Sequence, residues 1–243
     1  MLRSLLSLDY KIRAVDGDIG SVHDWYFDDQ SWKVRYLVVD TGGFLMRKVL
    51  LSTASLGEPQ WTERVFPVKH TREEVKNSPN IDTEKPVSRQ HERDLHTYYE
   101  WMPYWGGPVG APVMHPIPLS VEEPQEKPDE NTEEENHLRS FREVSSYAVR
   151  AVDGKVGQVE DFIVDDSEWV IKMLVADTGS WLRGRRVLLA TGSVEDISYP
   201  EKSVAVNLRR ETVENSPEFD PAEPVNEELE LRLYDYYGRP KQL

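Results

Sequence analysis

Two aspartates raise the question of chemistry first. Asp40 and Asp177 each close an apolar run and stand directly before Thr-Gly, in Tyr36-Leu37-Val38-Val39-Asp40-Thr41-Gly42 and Met173-Leu174-Val175-Ala176-Asp177-Thr178-Gly179. Two carboxylates delivered by matching segments are what general acid–base catalysis would use. The commoner work of an Asp in this position is to accept backbone N–H bonds and cap the turn that follows, and that role is the one expected here. Asp28-Asp29 and Asp165-Asp166 offer oxygens to a cation such as calcium but lack the alternating ligands of a dedicated loop, so no metal is expected there.

The histidines do not extend this chemistry. His91 and His96 are five apart, so on a helix they diverge, and nothing nearby supplies a third metal ligand. Both are expected to be solvated. His70, His115 and His137 are scattered, no Ser/His/Asp order recurs, and there is no cysteine for a thiolate site or a disulfide. A hydrolase is therefore not expected, nor is a resident cofactor or metal.

Contact chemistry is better represented. Phe44 to Lys48 and Trp181 to Arg186 are matching loops that place an aromatic beside Arg47, Arg183 and Arg185, a composition typical of binding hot spots. The alternative is that Phe44 and Trp181 close one end of a barrel while the basic groups are solvated. Tyr98, Tyr99, Trp101, Tyr104 and Trp105 form the densest aromatic cluster. Tyr98-Tyr99 recurs as Tyr236-Tyr237 and is expected in the core. Trp101, Tyr104 and Trp105 have no counterpart, which marks them for contact with a partner or between the two halves.

The elements that must position these residues come twice. Tyr10 to Val15 alternates as a half-buried strand, Asp16-Gly17 supplies a tight turn, and Ile19 to Phe27 returns. Trp32 to Val39 and Lys48 to Ser52 follow, then Arg64 to Val68. Thr71 with Glu74 is a capping box for one helical turn, and Ser88 caps an amphipathic helix with Leu95, Tyr98 and Tyr99 on one face. The second copy begins at Val149-Arg150-Ala151-Val152-Asp153-Gly154 and keeps the same order, gaining one residue only in the Trp181 loop. Short strands without intervening helices predict a small antiparallel barrel in each copy. The domains expected are residues 1–100, a Pro-rich and acidic linker at 101–137, and 138–243.

Composition bounds the partners. The net charge is -15, from 29 basic and 44 acidic residues, which opposes binding to a phosphate backbone. Much of it sits in the linker, where eight acids between Glu122 and Glu135 face the single Lys127. Asp9 cuts the apolar start short, and no run approaches the ~20 apolar residues of a membrane helix. A soluble, cytoplasmic protein without membrane insertion or nucleic acid is expected.

A strand, an Asp-Gly turn with Gly three positions on, a strand ending in Asp-Asp, then Leu-Val-x-Asp-Thr-Gly and a basic loop before Val-Leu-Leu: this order resembles the PRC-barrel family, over residues 5–82 and again over 142–220. The family is named from the cytoplasmic domain of one subunit of the purple bacterial photosynthetic reaction centre and occurs in a ribosome maturation factor. Neither the membrane helix of the first nor the additional N-terminal domain of the second is expected here. The chain is closer to stand-alone bacterial PRC-barrel proteins. The resemblance implies two barrels, each followed by a short helix and related by a pseudo-twofold axis, and a non-enzymatic protein–protein interaction or complex-assembly role. A small-molecule or metal-dependent enzyme with its site between the barrels, and a ribosome- or RNA-associated factor, are the alternatives. Pairing of the barrels within the chain, or a homo-oligomer, follows from the duplication.

Overall fold

The computed structural model describes residues 1–4, 10–42, 47–83, 85–105, 137–179, 185–222 and 225–237. In chain order the strands of the first copy are β1 (Leu2–Ser4), β2 (Lys11–Ala14), β3 (Gly17–Asp28), β4 (Val34–Asp40), β5 (Lys48–Ser52) and β6 (Val65–Pro67), followed by α1 (Arg72–Asn77) and α2 (Arg89–Tyr98). The second copy has β7 (Leu138–Ser140), α3 (Phe141–Val144), β8 (Ala148–Ala151), β9 (Gly154–Asp165), β10 (Val170–Asp177), β11 (Arg186–Ala190), β12 (Val194–Ser198), β13 (Ser203–Val206), α4 (Arg210–Glu214) and α5 (Glu227–Tyr237).

The protein is mostly β, with one sheet per copy. The first runs β5-β4-β3-β2-β6 and the second β11-β10-β9-β8-β13-β12. Two features differ from the expected antiparallel barrels. Neither sheet closes, and β6 joins β2, as β13 joins β8, in parallel. The chain explains both: after β5 it leaves the sheet through a 3-10 turn at Thr53–Ser55, capped by the Ser52 hydroxyl, so that the following strand returns to the far edge beside β2 instead of continuing the meander.

The Asp-Gly turns and the glycine three positions on have separate reasons. Gly17 and Gly154 take φ of 132° and 138°, open to glycine. At Gly20 and Gly157 the constraint is space. A Cβ there would lie 1.9 and 2.2 Å from the carbonyl oxygens of Asp40 and Asp177, because the long strand crosses directly over the end of its neighbour.

The copies are joined by an exchange. β1 of the first copy pairs with β9 of the second, and β7 of the second with β3 of the first. Both short strands read Leu-Arg-Ser, and the registers correspond: Leu2 faces Asp165, Arg3 Val164 and Ser4 Ile163, while Leu138 faces Asp28, Arg139 Phe27 and Ser140 Tyr26. The hydroxyls of Ser4 and Ser140 donate to Asp161 and Asp24. Arg3 pairs with Asp166 at 2.8 Å, Arg139 with Asp29 at 2.7 Å.

A second pair of contacts holds the seam. Trp32 and Trp169 adopt φ of 58° and 56°, a left-handed conformation that costs a bulky residue roughly 1–2 kcal/mol. It turns each carbonyl across the seam. The Trp169 oxygen accepts from Val34 N–H and the Trp32 oxygen from Ile171 N–H, both at 2.8 Å. Trp169 stacks on Trp25 of the other copy at 5.4 Å, and Phe27, Phe141 and Phe162 pack together beside them. One apolar core therefore runs through both copies, and two smaller clusters lie under the outer helices.

Asp24 is buried at 7 % exposure. Burial raises its pKa to about 6, against the opposing effect of bonds from the Ser140 hydroxyl and the Trp25 and Arg142 amides. The native state thus binds this proton more tightly than the unfolded chain, so the contribution of Asp24 to stability falls as pH rises from ~4 to ~6, by about 3 kcal/mol. Chemical denaturation of wild type and Asp24→Asn at pH 4 and pH 7 should show that loss in wild type and not in the variant, since Asn can keep Oδ1 as acceptor for both amides.

Candidate functional site

The residues marked in the sequence fall into three groups. Phe44, Trp181 and Arg183 lie outside the described residues. Arg47 and Arg185 occupy equivalent places but do not present free cations. Arg47 donates to the Ser78 carbonyl, and Arg185 to the carbonyls of Ser216 and, at 2.6 Å, Glu214. Each guanidinium satisfies backbone acceptors at the end of a short helix, α1 or α4, which ties the loop after β4 or β10 to that helix.

Asp40 and Asp177 accept from the N–H of Gly42 and Gly179 at 2.9 and 2.8 Å, the turn-capping role. Asp28 likewise accepts from Gln30 and Ser31 N–H, and Asp29 and Asp166 receive the arginines of the exchanged strands. Asp165 accepts from Ser167 N–H at 3.0 Å, so each carboxylate of the two Asp-Asp pairs has a partner within the protein.

Trp101, Tyr104 and Trp105 are brought together, on the outer face of the first copy. Glu100, at φ 55°, ends α2 and turns the chain back, so that Trp101 N–H bonds to the His96 carbonyl at 2.9 Å. The Trp101 ring stacks on Tyr99 at 4.3 Å. Residues Trp101–Trp105 thus form a strap over α2 and β4, with the rings half-buried and Met102 at its crest 81 % exposed.

Under the strap lies a polar cluster. Glu92 is only 2 % exposed. Its Oε1 accepts from the hydroxyls of Tyr104 at 2.6 Å and Tyr36 at 2.9 Å, and its Oε2 from Arg89 at 2.7 Å. His96 Nε2 is 3.0 Å from the Tyr36 hydroxyl, and its Nδ1 lies 3.3 Å from the Trp101 carbonyl. Arg35 lies over the Tyr104 ring and Arg89 over the Trp105 ring, at 3.9 and 4.7 Å from the ring centres. Burial pushes the Tyr36 and Tyr104 hydroxyls up and the His96 imidazole down, so all three are held neutral at pH 7.

Three donors are committed to the Glu92 carboxylate, which suits an anchor better than a general base, since a base needs a lone pair turned toward a substrate. No family model matches the chain, and no curated protein matches it.

The cluster belongs to the first copy alone. Aligned on Tyr98-Tyr99 and Tyr236-Tyr237, Glu92 keeps a counterpart in Glu230, but Arg89 becomes Glu227 and His96 becomes Tyr234; Tyr36 corresponds to Met173. The outer face of the second copy carries instead an open groove of about 340 Å³ between Arg186 and Arg232, floored by Phe219, Pro221 and Leu229.

The expectation that His91 and His96 are solvated is corrected here. His96 is buried at 7 % exposure and His91 is half-buried, because the helix is pressed to the sheet on one side and covered by the strap on the other. Arg89, Glu92 and His96 also went unmarked as a set, although their spacing of three and four puts them on one helical face.

Glu92 is buried and its partner Arg89 half-buried, so removing the arginine strands a buried charge. Arg89→Met should cost about 3 kcal/mol in urea unfolding, and Arg89→Met with Glu92→Met should recover part of it.

Proposed function

We propose that this chain is a PRC-barrel-type protein that acts without catalysis, as a docking or complex-assembly module for another protein. The observation that carries the reading is the filled seam: the space between the copies, where a shared active site would have to form, is occupied by Trp25, Trp169, Phe27, Phe141 and Phe162 in ring-to-ring contact. The kinship rests on the order of motifs, whose glycines, turn aspartates and strand ends serve the same purposes in both copies.

The strap is the docking surface in this reading. It is aromatic content that duplication does not explain, its rings are half-buried, and Met102 stands exposed among them. Rigid aromatics beside a flexible thioether bury much apolar area at little entropic cost.

The buried Glu92, Tyr36 and His96 favour a second reading, in which the same outer face binds a small polar ligand when the strap lifts. The two readings part in one experiment. Crosslinking and affinity recovery from cells with the full chain and with Met102→Asp should yield one salt-resistant complex for wild type and lose it for the variant, at equal melting temperature. Equal recovery with both proteins would remove the strap from the interface.

A further inference from the structure

The exchanged strands show a recognition rule twice over. In both grooves the occupant is an extended Leu-Arg-Ser segment added antiparallel to the distal end of a long strand. In both, three side chains are read separately. Leu2 packs on the outer apolar cluster of the second copy, and Leu138 on that of the first. Arg3 and Arg139 pair with Asp166 and Asp29. Ser4 and Ser140 donate to Asp161 and Asp24. The backbone is engaged as well, since the N–H of Asp166 and of Asp29 donates to the carbonyl of Met1 and of His137 at 3.1 and 2.9 Å. Addition of a strand to a sheet edge, with alternate side chains read in pockets, is a general mode of peptide recognition.

We infer that the groove along β9 is a binding site for an extended Leu-Arg-Ser segment, and that the partner it fits is β1 of a second copy of this chain. The groove is filled by the strand of the first repeat, while the second repeat's own Leu-Arg-Ser strand lies on β3. Its contacts read three side chains, the backbone between them and the Met1 ammonium, which donates to Asp166 at 2.6 Å. Those contacts are the same whether the strand arrives from the same chain or from another. Own-chain supply is favoured by effective concentration, so exchange between chains requires β1 to leave first. Three residues of pairing, all of them partly exposed, make β1 the least protected strand of its sheet. Arg3 also lies over the Trp61 ring of the first copy at 4.2 Å, so β1 marks where that copy must come close when the strand is delivered.

The test uses the full chain carrying Arg3→Ala and Ser4→Ala, which weakens its own strand and leaves the groove intact. A labelled synthetic peptide of residues 1–9 should bind it saturably by fluorescence anisotropy, while a scrambled peptide does not. Adding Asp161→Asn should weaken binding about tenfold, the loss of one charge-assisted hydrogen bond, and Asp166→Asn by at least as much, since Asp166 accepts from both Arg3 and the Met1 ammonium. Asp166→Asn serves where Asp161→Asn perturbs folding, and circular dichroism checks both. Tagged wild-type chain refolded with this variant should recover it as a two-chain complex. Peptide binding no tighter than for the scrambled control, affinity indifferent to both Asp replacements, or failure of the two chains to exchange would each overturn the inference.

Discussion

The structure depends on a reciprocal exchange of three-residue strands, each anchored by a serine on a buried or half-buried aspartate. Without it, the distal halves of β3 and β9 would present bare edges, and Asp24 would be a buried carboxylate short of donors. The exchange turns the problem of one copy into the solution of the other. It also explains why two left-handed tryptophans are tolerated: the conformational cost at Trp32 and Trp169 is offset by a hydrogen bond across the seam, once in each direction, and by a stacked ring, which Trp169 finds in Trp25 of the other copy and Trp32 in Phe27 of its own.

Such reciprocity does not make the copies alike on their outer faces. The seam's polar anchors recur in both repeats, as Leu-Arg-Ser, Asp24 with Asp161, Asp29 with Asp166 and Trp32 with Trp169, because each contact has to be met from both sides. The rings beside them differ, with Trp25 and Phe27 corresponding to Phe162 and Val164. The outer faces carry no such double duty. There Tyr36 corresponds to Met173, and Arg89 and His96 correspond to Glu227 and Tyr234, which is where a polar cluster forms in one repeat only. Divergence in a duplicated protein falls where symmetry stops constraining it, and a surface that meets partners is of that kind.

Much of the framework was legible in the sequence. The alternation in Lys11–Ala14 and Val34–Asp40, the Asp-Gly turns and the Thr71–Glu74 capping box each state a local preference that tertiary structure then respects. Openness of the sheets was not legible, because closure depends on where the chain goes after Ser52, and a 3-10 turn leaves little pattern. The exchanged strands were hidden for two reasons. Three residues are too few to show a period, and one residue more separates Ser140 from Tyr147 than Ser4 from Tyr10, so Leu-Arg-Ser falls out of step with the rest of the repeat. Of the candidate site, the strap was visible as unduplicated aromatic density. What it covers was not, since Tyr36 and Glu92 lie far apart along the chain and read singly as a core tyrosine and a solvated helix acid.

The places where the chain passes from one copy to the other carry a mechanical consequence. Trp105 lies against Arg89 and His96, and His137 lies against Asp29, so the described residues that flank 106–136 both rest on the first copy. A covalent crossing lies instead at Ser140, where β7 on the first copy runs directly into α3. Tension applied along the acidic segment would therefore load the first copy alone, peeling the strap from one end and β7 from the other. Force entering at Trp105 and His137 acts on one repeat, and the joint to the other is the short run from β7 into α3, pinned by Leu138, Phe141 and Val144.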